Sequence, residues 1–390
     1  MRLLAVLVLV ITLGPLCIEM FIPTMPDLAR EFAADSTLVP LTLGVYMFGF
    51  AVSHLFYGAA ADHFGRRPVL STGLVIFLGS TVGCAMAQTL PALIGFRLLQ
   101  AFGASSALII PRAIVRDLYG PVESARIQSH MSTAMAIAPI VAPIVGGYLV
   151  KWHTWHWVFW VIAAYGAVAA AGFWLLVPES VPKRGASGFS LQTLLRNKAA
   201  LLADSRFVGL LLCMLFIGCG LFAFVSLSSF VMIEHMGVRK DHFGYLYALA
   251  ITGFMAGTIL SARLHGRVPG RRLIGIGIGL AIIGAHLMFI LAVAGVMRPA
   301  ALIGPHFVYL VGMGLLMPQS VAAALAPVPH IAATASALMG FLQVISSAIL
   351  VTVLGFFHDG GQIVIAFTMC VMSLGALLAY LRLVLGPRRK

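Results

Sequence analysis

Two side chains break otherwise uncharged apolar runs, and they are an acid and a base. Glu19 stands near the end of Leu3–Ile22, in Cys17-Ile-Glu19-Met-Phe-Ile-Pro23, and Arg97 stands in Ile94-Gly-Phe-Arg97-Leu-Leu-Gln100. A charge at mid-membrane costs about 2.5–3.5 kcal/mol on insertion scales, so each must reach water, a partner or an internal cavity. Glu19 reads either as an interfacial acid at the outer face or as a proton carrier facing a cavity. Arg97 reads either as a side chain snorkelling to the outer interface or as an internal cation, which needs an acceptor because guanidinium holds its proton. Gln100 lies one helical turn further on the same face. Together the pair predicts a switch. Ionised Glu19 is stabilised by Arg97, directly or through water; once Glu19 is protonated that attraction weakens and a cargo can bind. Competition between a proton and a cargo for one cavity suffices for antiport, and one charge moving through 100 mV supplies about 2.3 kcal/mol.

A second charged constellation lies between apolar runs, in Gly58-Ala-Ala-Ala-Asp62-His-Phe-Gly65-Arg66-Arg67. Asp62 is expected to reach the N-terminus of another helix, where amides favour an anion, and the start of span eleven near Ala332 is the candidate. Arg66 and Arg67 are expected to meet Asp117, after span four. Such contacts would hold a gate in one conformation and break in the other; the alternative is a solvated turn that only sets topology. In span five, Pro139 and Pro143 lie four apart and Gly146 and Gly147 follow, which gives a kinked face of little bulk for close packing. Phe21, Tyr46, Gln100, Phe222, Phe224, Phe230, Met317, Gln319 and Gln343 are the candidate cargo surface, because aromatic rings with a few amides suit amphipathic ligands. His286 and His306 read as satisfied helix residues, with His306 also able to titrate.

The elements that carry these residues must be membrane helices. The chain has 390 residues, 61% of them hydrophobic and only 9% charged; its mean hydropathy is +1.03. Soluble domains are typically about 25% charged. A helical span needs roughly 20 apolar residues, and the runs predict twelve spans: 3–22, 38–57, 69–87, 91–114, 126–149, 157–177, 206–232, 243–262, 272–296, 300–323, 332–356 and 363–385. On that layout nineteen of the 25 lysines and arginines fall on one side. Arg30, Lys151, Arg239, Lys240 and Arg298 fall on the other, and Arg97 is inside. The positive-inside rule then places both termini in the cytosol. The formal charge of +13 is thus a topology signal rather than a nucleic-acid footprint. Leu3–Ile22 lacks a small-residue cleavage site and reads as a retained span.

The polar segment Pro178–Ser205 divides the spans six and six, giving domains 1–177 and 206–390 joined by a linker at 178–205. Within it Leu191–Leu202 reads either as an amphipathic helix on the membrane surface or as flexible chain. After span eight, Ser261-Ala-Arg-Leu-His-Gly266-Arg-Val-Pro-Gly270-Arg271-Arg272 echoes the first loop without its aspartate, which suggests two related halves. All five cysteines lie in apolar runs without metal-ligand spacing. The chain has no Gly-x-Ser-x-Gly elbow and no P-loop, so neither an esterase nor an ATP-driven pump is indicated.

The first loop resembles the signature of the major facilitator superfamily, G-x-x-x-D-(R/K)-x-G-(R/K)-(R/K). The whole chain resembles the bicyclomycin/chloramphenicol-resistance (Bcr/CflA) branch of its drug:proton antiporters. Glu19-Met-Phe-Ile-Pro23-Thr-Met-Pro26, Arg97-Leu-Leu-Gln100, Arg116-Asp117-Leu118-Tyr119 and Ala138-Pro139 through Gly147 carry the likeness. So do Glu234-His-Met-Gly237 to Phe243-Gly-Tyr245 and Ala333-Thr334-Ala-Ser336-Ala-Leu338 to Gln343. The chain departs from the pattern at four places. Glu19 replaces the usual aspartate, His63 a basic residue, Phe21 a tyrosine and Gln319 an asparagine. The resemblance implies an all-α integral membrane protein with twelve transmembrane helices in two six-helix bundles, a central cavity and alternating access. It also implies a monomeric transporter of a bacterial inner membrane that exchanges amphipathic drug-like compounds for protons without a cofactor. A metabolite uniporter or symporter on the same scaffold is the first rival, and a receptor or channel the second; a channel would ordinarily repeat a pore-lining pattern, which this chain does not show.

Overall fold

The computed structural model describes residues 2–32, 38–180, 191–328, 331–356 and 361–386, and every regular element among them is helical. Lys183, Arg184, Arg388, Arg389 and Lys390, which the charge argument used, lie outside the described residues. In chain order the helices are α1 Arg2–Ile11, α2 Leu13–Glu19, α3 Met25–Glu31, α4 Val39–Phe64, α5 Arg66–Ala85, α6 Leu90–Leu118, α7 Pro121–Trp152, α8 His156–Leu176, α9 Leu191–Ala203, α10 Ser205–Ser229, α11 Lys240–Leu264, α12 Gly270–Val293, α13 Pro299–Leu325, α14 Ala332–Phe356 and α15 Gln362–Ala379. Short π-helical turns, Phe230–His235 and Tyr380–Val384, extend α10 and α15. Twelve of these helical stretches are long and apolar enough to cross a membrane.

The predicted first span, 3–22, is one stretch from Arg2 to Glu31 in the structure, and it is broken. Proline lacks the amide that would bond the carbonyl four residues earlier, and its ring crowds that carbonyl. The residue four before Pro15 is Ile11, where α1 stops, and the residue four before Pro23 is Glu19, where α2 stops. A single 3-10 turn, Ile22–Thr24, then leads into α3. Pro139 and Pro143 by contrast sit inside α7, which runs on through both. Leu191–Ala203 is a helix, which decides that segment against flexible chain.

The chain forms two compact units. One comprises Met1–Phe189 with Lys240–Gly244; the other comprises Ser190–Arg239 with Tyr245–Lys390. In the first, α6 packs along α4 and α5, α8 covers α5 and α1, and α7 lies against α2. Glycines let α5 and α6 touch backbone to backbone: a Cβ on Gly103 would stand 2.5 Å from the Phe77 amide nitrogen. In the second unit α12 and α13 form the most extensive pair, and α10 packs on α13, α14 and α15. Glutamate 179 and Ser180, placed in the linker by sequence, belong to the first unit, and α9 belongs to the second.

Candidate functional site

The break after α2 makes a polar site inside the first unit. Because Pro23 ends the ladder, the Phe21 amide turns to the Ile18 carbonyl at 3.2 Å. The Cys17 carbonyl, which would have accepted that amide, accepts instead from Arg97 Nη1 at 3.0 Å. Arg97 Nη1 also donates to Gln100 Oε1 at 2.8 Å, and Gln100 Nε2 donates to Thr81 Oγ1 at 2.9 Å. The Arg97 guanidinium carbon lies 4.4 Å from the Phe21 ring centroid and 4.2 Å from that of Tyr46. Cation–π contacts of this kind contribute about 2 kcal/mol when desolvated. Tyr46 is oriented by its own hydrogen bond to the Gly14 carbonyl, 3.3 Å.

Arg97 is 0% exposed, which rules out the snorkelling alternative. Its Nε and Nη2 have no hydrogen-bond partner among the described residues. Glu19 is half-buried at the C-terminal end of α2, two residues from the carbonyl that Arg97 holds. Among the described residues the guanidinium is held by a carbonyl, an amide and two ring faces. Gly146 packs against the same break, where a Cβ would stand 2.5 Å from the Met20 carbonyl oxygen. Gly147 is equally tight against the Lys240 carbonyl, at 2.4 Å.

The loop between α4 and α5 is held by acids. Arg66 Nε donates to Asp117 Oδ2 at 2.9 Å, as expected, and its Nη1 meets Asp62 one turn back. Asp62 is thus paired within its own turn, with its side chain 61% exposed; Ala332 belongs to the other unit. The acid that caps a helix start here is Glu179, which accepts from the Arg66 and Arg67 amides at 3.0 and 3.1 Å. Arg67 does not reach Asp117; its Nη2 donates to the Trp174 carbonyl at 2.7 Å. Gly65 is required twice over. Its φ is +98°, and a Cβ would stand 2.8 Å from Glu179 Oε2. Gly58 has open space around it. Sequence reasoning missed Glu179; an acid two residues past an apolar span was the available signal.

At the other end of this unit, Lys240 Nζ bridges both Asp27 oxygens at 2.6 and 2.7 Å, and Lys151 Nζ meets Asp241 at 2.8 Å. Both cations had been read only as topology marks.

The remaining candidates lie in the second unit. His306, 0% exposed, stacks on Phe224 with centroids 3.6 Å apart and lies parallel to Tyr309 at 6.0 Å. Neither His306 ring nitrogen has a hydrogen-bond partner among the described residues, contrary to the expectation of a satisfied histidine. His286 does bond, its Nδ1 lying 2.9 Å from the Ile282 carbonyl. Gln319 donates to Ser261 Oγ at 2.9 Å, tying α13 to α11, and the two side chains line one cavity of about 380 Å³ with Pro318 and His265. Gln343 and Phe222 are half-buried, and Phe230 and Met317 are buried. Among the described residues no three His, Cys, Asp or Glu side chains group as metal ligands.

Known proteins agree with this architecture. The Major Facilitator Superfamily profile matches residues 7–351. An uncharacterised MFS-type transporter of Bacillus subtilis, YdgK, is 31% identical over 88% of this chain and 86% of its own length. The bicyclomycin resistance protein homolog of Haemophilus influenzae is 27% identical over 96% and 95%. Among solved structures, a D-xylose–proton symporter superposes with a TM-score of 0.78 at 16% identity, covering 99% of this chain and 98% of that one. The chain is therefore a twelve-helix membrane transporter, not an enzyme, and it belongs to the major facilitator superfamily, on the side of its bicyclomycin-resistance relatives.

Proposed function

We propose that the protein is a proton-coupled exporter of amphipathic, drug-like molecules in a bacterial inner membrane. It works by alternating access, with both termini in the cytosol and the monomer as the working unit. Glu19 carries the proton and Arg97 senses its charge. One observation supports this most: a wholly buried guanidinium, clamped by Phe21 and Tyr46, that keeps two nitrogens unbonded among the described residues and holds the Cys17 carbonyl two residues before half-buried Glu19.

A buried cation with spare donors stabilises whichever anion or acceptor comes within reach. Ionised Glu19 is the resident candidate, two residues along α2 from the Cys17 carbonyl. Competition fixes the order of events: the cargo occupies the aromatic faces while Glu19 is ionised and stabilised by Arg97, and protonation of Glu19 removes that attraction and expels the cargo. A proton therefore enters for each cargo that leaves, and the proton gradient is the only energy source required. The drug-like class follows from the aromatic clamp and from the relatives' resistance names.

The test is transport in proteoliposomes under an imposed proton gradient, with chloramphenicol as the probe. The wild-type protein accumulates it uphill, and a protonophore abolishes accumulation. Glu19→Gln lowers uphill transport at least tenfold while downhill exchange persists. Uphill transport that survives collapse of the gradient, or full coupling in Glu19→Gln, contradicts the proposal.

A further inference from the structure

The second unit contains a cavity of about 450 Å³ that the transport reading does not use. It lies where five elements end together: α9 and the start of α10, the start of α12, the end of α13 and the π-turn after α15. These ends mark the edge of the apolar spans, the level at which lipid headgroups lie. Leu201, Phe207, Leu210 and Ile274 give it apolar walls, and Arg206 and Arg271 are its two cations. Ligand pockets commonly span about 300–1,000 Å³.

The charge balance of this cavity is one-sided. Asp204 is the one acid in the lining, and its Oδ1 is already engaged as the cap of α10, accepting from the Arg206 and Phe207 amides at 2.8 and 3.1 Å. Arg271 is fixed from two directions. Its guanidinium donates to the Val384 carbonyl, and its own carbonyl accepts from Tyr380 Oη at 2.8 Å. One of five guanidinium N–H groups is thereby used, leaving a fixed fork suited to a phosphate. Lys198, Arg263, Arg267, Arg272 and Arg382 surround the same end of the unit. Glu234, the other acid described in this unit, stands at the far end of α10.

We infer that this cavity binds one anionic phospholipid, its phosphate on Arg206 and Arg271 and an acyl chain against Leu201, Phe207, Leu210 and Ile274. A fixed cation, Arg271, and an exposed one, Arg206, with an apolar chamber behind them match an amphiphilic anion and mismatch a zwitterion. The helix α9 forms one wall, so an occupant fastens the segment that follows the first unit to the second unit's helices. This assignment does not depend on the proton mechanism.

The experiment is native mass spectrometry of the full-length, detergent-solubilised protein, titrated with dioleoyl-phosphatidylglycerol or dioleoyl-phosphatidylcholine. The wild-type protein retains one phosphatidylglycerol at least tenfold more tightly than phosphatidylcholine. Arg206→Ser reduces that preference at least fivefold; no side-chain hydrogen bond of Arg206 is described, so the fold has no such bond to lose. Ala200→Trp, at an exposed position on α9, fills the chamber and lowers retention with both arginines in place. Equal retention of the two lipids, or unchanged retention in both variants, overturns the assignment. So does displacement of phosphatidylglycerol by equimolar oleate, which would make the occupant a free carboxylate amphiphile. Matched thermal unfolding of the variants shows that lost binding is not lost fold.

Discussion

The two units hold comparable sets of spans yet use polar residues in opposite ways. In the first, a buried cation sits in a chain of hydrogen bonds, Cys17 carbonyl to Arg97 to Gln100 to Thr81. In the second, the buried polar groups include an imidazole in an aromatic stack, a tyrosine hydroxyl on the Ile217 carbonyl at 2.8 Å, and an amide on a serine. The loops differ in the same sense. Gly65 and Gly266 both turn with positive φ, +98° and +80°. The first loop is anchored by Asp62, Asp117 and Glu179, whereas Arg271, at the start of α12 beyond the second turn, finds a backbone carbonyl, that of Val384. A proton can be loaded and read out only where a charge has something to lose. On the proposed mechanism the first unit therefore supplies the proton chemistry.

The largest expected effect breaks that contrast at its centre. Arg97→Met abolishes uphill transport, a loss of at least about 100-fold, while the thermal midpoint holds or rises. The reason is that replacing an incompletely satisfied buried charge with an apolar chain removes a desolvation cost of several kcal/mol. A variant that unfolds tens of degrees early would make Arg97 structural instead. Next in size, Asp117→Asn removes the charge from the Arg66 bond and slows turnover about tenfold, with cargo affinity within twofold. Charge-assisted hydrogen bonds of this kind contribute about 1.5–3 kcal/mol. In the second loop, Arg267→Ser leaves turnover within twofold; an equal defect there would erase the distinction between the loops. The smallest effect belongs to the neutral core. His306→Phe keeps the stack on Phe224 and deletes two polar atoms with no described partner, so stability rises by about 1–2 kcal/mol. A drop in the midpoint would show that the imidazole is held by bonds it needs.

Much of the fold was legible because apolar runs of membrane length have few alternatives, and the twelve spans fall where hydropathy put them. The broken first span was half legible. Pro15 and Pro23 were visible in the sequence, but their consequence, a freed Cys17 carbonyl that Arg97 then takes, depends on a residue 80 positions away. Asp62 drew attention through its motif, yet the capping acid is Glu179, 113 residues beyond Arg66. The acid's place just past a span was visible, but its partner was not. Lys240 and Asp27 are 213 residues apart and follow the same logic. The cargo candidates of the second unit were chosen by residue type alone, and type does not say that Gln319 bonds a serine on α11. Residues with a cost to be relieved, such as a charge in an apolar run, could be found from sequence. Residues that relieve it could not.

The central claim is that Glu19 exchanges a proton for cargo beside Arg97, and the most direct measurement is proton release on binding. Purified protein in weakly buffered solution with a pH dye is mixed with saturating cargo at several starting pH values. The account predicts a proton stoichiometry that changes with pH in the wild-type protein and vanishes in Glu19→Gln, which still binds the cargo. Equal proton exchange in the variant, or none in the wild-type protein at any pH, would contradict it.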